Sequence, residues 1–391
     1  KKAFPCIISG IRDYAEYVPL EKDVFDLIVI DEASQVSIAQ AFPALLRGKK
    51  IVIMGDNKQF SNVKSSTASR EQNRSYLDDL STAFTESYGN KDIGKVERSK
   101  VFDITVSILD FFQYVTNYEC LLKKHFRGYP ELISFSSKYF YDGKLQTVKV
   151  RNKHIKDVLE IRLIKHDGKL EAERNINTLE AIEIVKDLDS LCDMEDPPEV
   201  GVITPFRDQQ RFILGQIDRS EKRDQIYKQL KVKVMTFDSC QGEERDYIYY
   251  SMVATKEQDK LWTVLGRNFD RNMDPENNLR LQRLNVGMSR TKEKIIFVTS
   301  KPVEEYSGNA HLILSHYQNE IRHAEEAPDA SSTESPMERN LLNWIQQSSF
   351  YQKNKDKIIL ETQFKIGKYI KSIDPSYSHP EYRTDFLLKF K

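Results

Sequence analysis

Two adjacent carboxylates, Asp31 and Glu32, close a short apolar run in the stretch FDLIVIDEASQ, Phe25 to Gln35. Runs of this kind form strands that bury both faces, and a buried charge needs a partner. The partner here is a metal ion, a lysine, or only water at a strand end. At the C-terminal end of a parallel strand, a carboxylate faces the crevice in which such sheets bind ligands. There Asp31 could hold Mg²⁺ through its water shell, while Glu32 orients an attacking water. The plain alternative is a solvated strand end. The next apolar run closes in GDNKQ, Gly55 to Gln59. Its Gly permits a tight turn, and Gln59 offers a donor and an acceptor to a phosphate or a water. Alone this is an ordinary turn; one strand after DEAS it becomes informative.

Several elements must position these groups. PCIIS (Pro5 to Ser9), DLIVI (Asp26 to Ile30) and KIVIMG (Lys50 to Gly55) read as strands of a parallel sheet. Ile38 to Leu46 has the length of a crossover helix between the last two. Ser61 to Ser99 is polar and reads as a surface insertion or loop. Helical character returns in VFDITVSILDFFQYV, Val101 to Val115. A second series follows, with a helix ending in KYFYDG, a strand in LEIRLIKHDG and an amphipathic helix in INTLEAIEIVKDLDSL. EVGVITP, VKVMTFDS, DYIYYSMVAT and KIIFVTS supply further strands. The expected fold class is therefore α/β with two sheet-bearing domains. From about Asn319 the composition shifts to an acidic, Ala/Ser/Pro-rich linker, after which MERNLLNWIQQSSF reads as a short amphipathic helix.

Composition narrows the function classes. The 391 residues suit two or three domains, and 39% hydrophobic with 30% charged residues suits a globular protein with a sizeable core. Lys+Arg and Asp+Glu each count 59, a formal net charge of zero, so attraction to nucleic acid must come from local patches. The four cysteines have no paired spacing, which argues against a disulfide framework or a zinc site and for a reducing cytoplasm. No apolar run approaches the roughly 18 residues of a membrane span.

In order along the chain, the chemistry-bearing stretches resemble the motifs of superfamily 1 helicases of the up-frameshift-like branch. IDEASQ and VIMGDNKQ resemble motifs II and III. LKKHFRGYPELISFSSKYFYDGKL (Leu122 to Leu145) resembles motif IV, and VGVITPFRDQQ (Val200 to Gln210) the TP-containing motif after it. VMTFDSCQGEERDYIYYSMV (Val234 to Val253) and RLNVGMSRTKEKIIFV (Arg283 to Val298) resemble motifs V and VI. The resemblance covers about residues 25 to 300. It implies two RecA-like domains, the first incomplete, over residues 1–118 (with the insertion at about 61–99) and 119–318, a linker at 319–336 and a further module at 337–391.

The resemblance also implies ATP and Mg²⁺ as cofactors and single-stranded nucleic acid, DNA before RNA, as partner. Asp31 is then the magnesium carboxylate, Glu32 the general base and Gln59 the sensor of the γ-phosphate. Arg127 and Arg290 correspond to two arginines that the second domain brings to the nucleotide, each a fixed fork of donors. Gln241, Gly242 and Glu243 fall at nucleotide-addressing positions, and Thr204, Thr236 and Ser239 at phosphate-contacting positions on the strand. One departure stands out: no G-x-x-x-x-G-K-[ST] loop occurs in the 391 residues. The chain therefore reads as part of a larger helicase, with the missing motor segment in the same protein or in a partner chain, and as inactive alone. The tail resembles the start of a very-short-patch-repair-like nuclease of the PD-(D/E)xK type, in which Glu338 and Asp385 would gather a metal around Gln363. DNA processing, repair or antiviral defence follows by analogy. An RNA helicase of the decay type and a catalytically silent nucleic-acid-binding scaffold are the alternatives.

Overall fold

The computed structural model describes residues 6–59, 70–88, 102–103, 106–116, 118–149, 153–166, 171, 175–270, 275–325 and 336–390. Its contacts divide it into two units, Lys1–Leu121 and Leu122–Lys391.

In the first unit, β1 (Ile28–Ile30) and β2 (Ile51–Ile53) pair in parallel, joined through the helix Ile38–Leu46. Ser37 and Gln40 form a capping box that starts this helix, so its boundary matches the sequence expectation. Ile28, Ile30, Ile38, Ala41, Ile108 and Phe111 make the core. The strands are not buried on both faces as expected: Val29 is 50% and Val52 43% exposed, because the described helices cover one face only. Residues 6–10 are not a strand either. A strand exists only with a hydrogen-bonded neighbour, and none of the described residues pairs with them; Ile8 is 97% exposed. The segment expected as a polar loop at 61–99 contains the helix Arg70–Tyr88, and its other residues lie outside the described ones. The helix expected from Val101 begins at Ile108 instead, since Ser107 accepts the Asp110 N–H at 3.1 Å and caps it there.

The second unit opens with β3 (Lys124–His125) and β4 (Gln146–Thr147), paired in parallel. Its centre is a parallel sheet of β5 (Leu159–Leu163), β6 (Val200–Thr204), β7 (Lys233–Thr236), β8 (Arg245–Ser251) and β9 (Thr291–Thr299), in the order β5-β9-β8-β6-β7. Both faces are covered. Val202, Tyr249 and Ile296 meet the helices Thr178–Leu191 and Arg207–Arg219. On the other face Phe237, Tyr250, Phe297 and Tyr317 form a run of ring contacts, the Tyr250 and Phe297 centroids 4.9 Å apart. Such two-faced burial is why these strands read as unbroken apolar runs.

The helix Gly308–Glu325 extends into the segment expected as linker, and residues 326–335 lie outside the described ones. Beyond it stand the helix Pro336–Gln347 and an antiparallel pair, β10 (Ile358–Phe364) and β11 (Thr384–Phe390). Among the described residues, no helix is long and apolar enough to cross a membrane.

Candidate active site

Asp31 leaves β1 directly, and its Oδ1 accepts the N–H of Glu32 at 2.8 Å. That turn holds Glu32 in the left-handed region, φ 50°, which is uncommon outside glycine and clusters at functional sites. Both carboxylates are exposed, and Gln35 Nε2 donates to Glu32 Oε2 at 3.1 Å. The turn after β2 packs against them. Ala33 N–H donates to Met54 O at 2.9 Å, and a Cβ on Gly55 would stand 3.1 Å from Ser34 N. A side chain there would push the neighbouring turn by a few tenths of an ångström, so glycine suits the close approach of the two turns. Gln59 is half-buried, its amide donating to Asp56 Oδ2 at 3.0 Å. Asp31, Glu32 and the GDNKQ turn thus share one end of the two-stranded sheet.

In the second unit, two arginines far apart in sequence converge on Ser289. Arg127 Nη1 donates to Ser289 O at 2.9 Å, and Arg290 Nη2 donates to Ser289 Oγ at 3.0 Å. Arg127 also pairs with Glu244 and keeps a buried Nε without a hydrogen-bond partner among the described residues. Arg290 is 4% exposed; burial and the Arg127 charge beside it hold its guanidinium below the usual range. Gly128 makes this possible, since a Cβ there would meet Thr291 O at 2.8 Å. His125 is lowered to about 4 by burial and by Arg127, and as the neutral ring it accepts Gly128 N–H at 3.2 Å.

Glu243 does not meet the arginine pair. It sits between Lys233 and Arg245, 3.1 Å from the latter, and its bond to Lys233 holds it below the usual carboxylate range. Glu244 holds Arg127 instead, a role the sequence left unassigned. Gln241 keeps a buried Nε2 without a hydrogen-bond partner among the described residues, and Gly242 takes φ 78°.

The arginine cluster lies at the edge where β8 and β9 begin, and the hydroxyls expected at phosphates lie near the opposite edge, where β6 and β7 end. Residues 237–244 join the two edges without a helix, although parallel strands are usually joined by a helical crossover. The link runs under the helix Pro275–Met288, where a Cβ on Gly287 would fall 2.4 Å from the Phe237 ring. Ser239 is exposed, whereas Thr236 is 4% and Thr204 0% exposed. Thr236 and Ser239 hydroxyls lie 3.2 Å apart, and Thr204 Oγ1 has no hydrogen-bond partner among the described residues. Of the three hydroxyls expected at phosphates, only Ser239 faces outward in this arrangement.

A buried polar network that sequence reasoning missed underlies this second edge. Glu180 is 0% exposed, and its Oε2 accepts from Ser251 Oγ at 2.7 Å and from Val253 N–H at 2.8 Å. Ser300 Oγ lies 3.0 Å and Asn177 Nδ2 3.3 Å from its Oε1. Gln209 grips Asn177 twice, accepting its N–H at 2.9 Å and donating to its carbonyl at 3.0 Å. The one signal in the sequence was N-T-L-E, a helix-cap spacing in which Asn177 accepts Glu180 N–H at 3.0 Å.

Burial raises Glu180 from 4.5 to about 8; Glu171 adds a like charge, and the buried Tyr306 lies within its field. Between those two pH values the folded protein keeps a proton that the unfolded chain has released. Stability should therefore fall as pH rises through that window, by up to ~1.4 kcal/mol per pH unit, and level off above it. Urea titrations at several pH values check this, and Glu180→Gln should flatten the slope.

In the C-terminal module, Gln363 Nε2 donates to Glu338 Oε2 at 2.8 Å. The register of β10 and β11, with Thr362 opposite Phe386 and Phe364 opposite Thr384, places Asp385 beside Gln363. Among the described residues, no three His, Cys, Asp or Glu side chains gather as a metal site.

Comparison with known proteins completes the picture. A family described as an AAA domain matches residues 105–302, just over half the chain, and another of the same description matches residues 11–67. The first match contains Arg127, Arg290 and the hydroxyl set, and the second contains Asp31, Glu32 and Gln59. The chain is 27% identical over 323 residues to the "Uncharacterized ATP-dependent helicase MG140" of Mycoplasma genitalium, covering 79% of this chain and 26% of that protein. It is 26% identical over 294 residues to the ATP-dependent helicase NAM7 of Saccharomyces cerevisiae, covering 70% and 25%. To the DNA replication ATP-dependent helicase/nuclease DNA2 of Gallus gallus it is 23% identical over 304 residues, covering 76% and 25%. The chain thus spans about a quarter of the length of these relatives. With the DEAS and GDNKQ turns meeting at one sheet end, and HFRG and SRT meeting at one sheet edge, the chain belongs to the AAA domain family.

Proposed function

We propose that the intact protein is an ATP-driven motor that steps along single strands, DNA in preference to RNA, and carries a nuclease-like C-terminal module. The observation that carries this reading is the convergence of Arg127 and Arg290 on Ser289 with Glu244 as the paired carboxylate. Two guanidinium forks side by side repel one another, and an arriving phosphate relieves that repulsion.

Asp31 suits magnesium. One oxygen of its exposed carboxylate is fixed by Glu32 N–H, and the other has no partner among the described residues. A hard oxygen ligand of this kind, completed by phosphates and water, is how Mg²⁺ is commonly bound beside a nucleotide. When bound, the ion neutralises charge at the β- and γ-phosphates. Glu32, tethered at one oxygen by Gln35, takes the proton of the attacking water through the other. Gln59 senses the γ-phosphate, the Gln241–Glu243 turn addresses the nucleotide, and Ser239 meets the strand, with the buried Thr236 beside it and Thr204 opposite Thr236 in the sheet. Stepping couples ATP turnover to opening and closing of the motor. Glu338 and Asp385, bracketing Gln363, are read as two ligands of the nuclease metal. A cytoplasmic location belongs to the same reading, since the four cysteines have no paired spacing.

ATP turnover by the intact protein, measured with and without single-stranded DNA and RNA, tests the reading. Stimulation by DNA above RNA is expected. Greater stimulation by RNA would move the protein to the RNA-decay type, and no turnover in any condition would leave the scaffold. Residues 1–391 alone, which hold no G-x-x-x-x-G-K-[ST] loop, should turn over negligibly.

A further inference from the structure

Val253 occupies a backbone conformation that a β-branched residue rarely takes: φ is 67°, and its side chain is 6% exposed. Such a conformation persists only where the surroundings over-determine it. Here Val253 N–H donates to Glu180 Oε2 at 2.8 Å, and Val253 O accepts from Asn177 Nδ2 at 3.2 Å. Both gripping residues are fully enclosed, and Gln209 anchors Asn177 from the helix Arg207–Arg219. The chain then turns into a segment in which Thr255 N–H donates to Gln258 O at 2.9 Å. Together with Asn175 and Phe206, Thr255, Gln258 and Lys260 line a cleft at the edge where β6 and β8 end.

We propose that Glu180 and Asn177 are positioning residues: they clamp Val253 in its left-handed conformation and so aim the segment Ala254–Lys260 at the nucleic-acid strand. The proposal rests on the single-strand reading above. It explains why a carboxyl group is kept in the interior with no cation among its hydrogen-bond partners. A carboxyl oxygen accepts the Val253 N–H and the Ser251 hydroxyl together, which no apolar side chain can do. The acceptor role survives in either protonation state.

The test pairs a backbone readout with a binding readout. Glu180→Leu fills the space but leaves the Val253 N–H without its acceptor. In the intact protein it should speed hydrogen exchange at the Val253 amide and weaken binding of a labelled single-stranded oligonucleotide roughly three- to tenfold, the ratio for one lost hydrogen bond. Glu180→Gln keeps an acceptor and should stay near wild type in both readouts. Adding Val253→Gly to Glu180→Leu should restore binding, because glycine takes positive φ without a clamp. Should Glu180→Leu not fold, Asn177→Ser carries the same expectation in both readouts, since it releases the Val253 carbonyl. Unchanged exchange and affinity in a folded variant overturn the proposal. Lost binding that glycine fails to recover overturns it as well, since that marks a general structural role. A wild-type protein that binds no single strand overturns the single-strand reading instead, and the exchange rates then decide separately whether Glu180 holds Val253.

Discussion

Replacing Glu32 by Gln in the intact protein should leave ATP bound and stop its turnover. The substitution removes the proposed base but keeps the shape of the side chain, the Gln35 contact and the Asp31 carboxylate beside it. General-base catalysis contributes roughly 10² to 10⁴ in rate, so kcat should fall by about that factor. The nucleotide's dissociation constant should change little, because ground-state binding runs through the phosphates and the metal. Rapid-quench kinetics with equilibrium binding of labelled ATP separate the two quantities. Turnover within a fewfold of wild type would remove Glu32 from the role of base.

The second large effect belongs to Arg290. Its removal should lower kcat by roughly 10³ or more while KM moves far less, the pattern of a group engaged mainly in the transition state. The structure adds a complication, because Arg290 is 4% exposed and its Nε donates to Val286 O at 2.9 Å. Arg290→Ala therefore loosens packing as well as removing charge. Arg290→Lys separates the causes: it preserves the charge and most of the volume but loses the planar fork. If kcat falls nearly as far in the Lys variant while thermal stability is retained, the fork is the active feature. Full activity in the Lys variant, or an effect confined to KM, would point to ground-state attraction.

The second unit's fold was legible because the central strands of its large sheet are buried on both faces. Val200 to Thr204 is wholly enclosed, and an unbroken apolar run is the pattern such a strand must show. The first unit was less so. DLIVI has the same apolar character, yet Val29 and Val52 face outward, and no rule of sequence distinguishes an apolar residue that is covered from one that is not. Asp31, Glu32, Arg127 and Arg290 stand out in the sequence because their spacing within short blocks is distinctive. Glu243 and Glu244 show where that kind of reading stops. Adjacent residues entering a strand point to opposite sides, and only the fold shows that Glu244 faces Arg127 while Glu243 faces Lys233 and Arg245. Glu180 was hidden for a related reason. Near the start of an amphipathic helix, a carboxylate three residues after Asn177 looks like an ordinary cap, and its burial depends on Ser251, Val253 and Ser300 arriving from distant strands.

The central claim is that Glu32 and Arg290 both serve ATP turnover by the intact protein. Single-turnover phosphate release from the Glu32→Gln, Arg290→Ala and double variants of the intact protein tests this most directly. Groups that serve one transition state are strongly non-additive, so the double variant should be no more than a few-fold slower than the slower single variant. A double variant slowed by the full product of the two single effects would contradict the account.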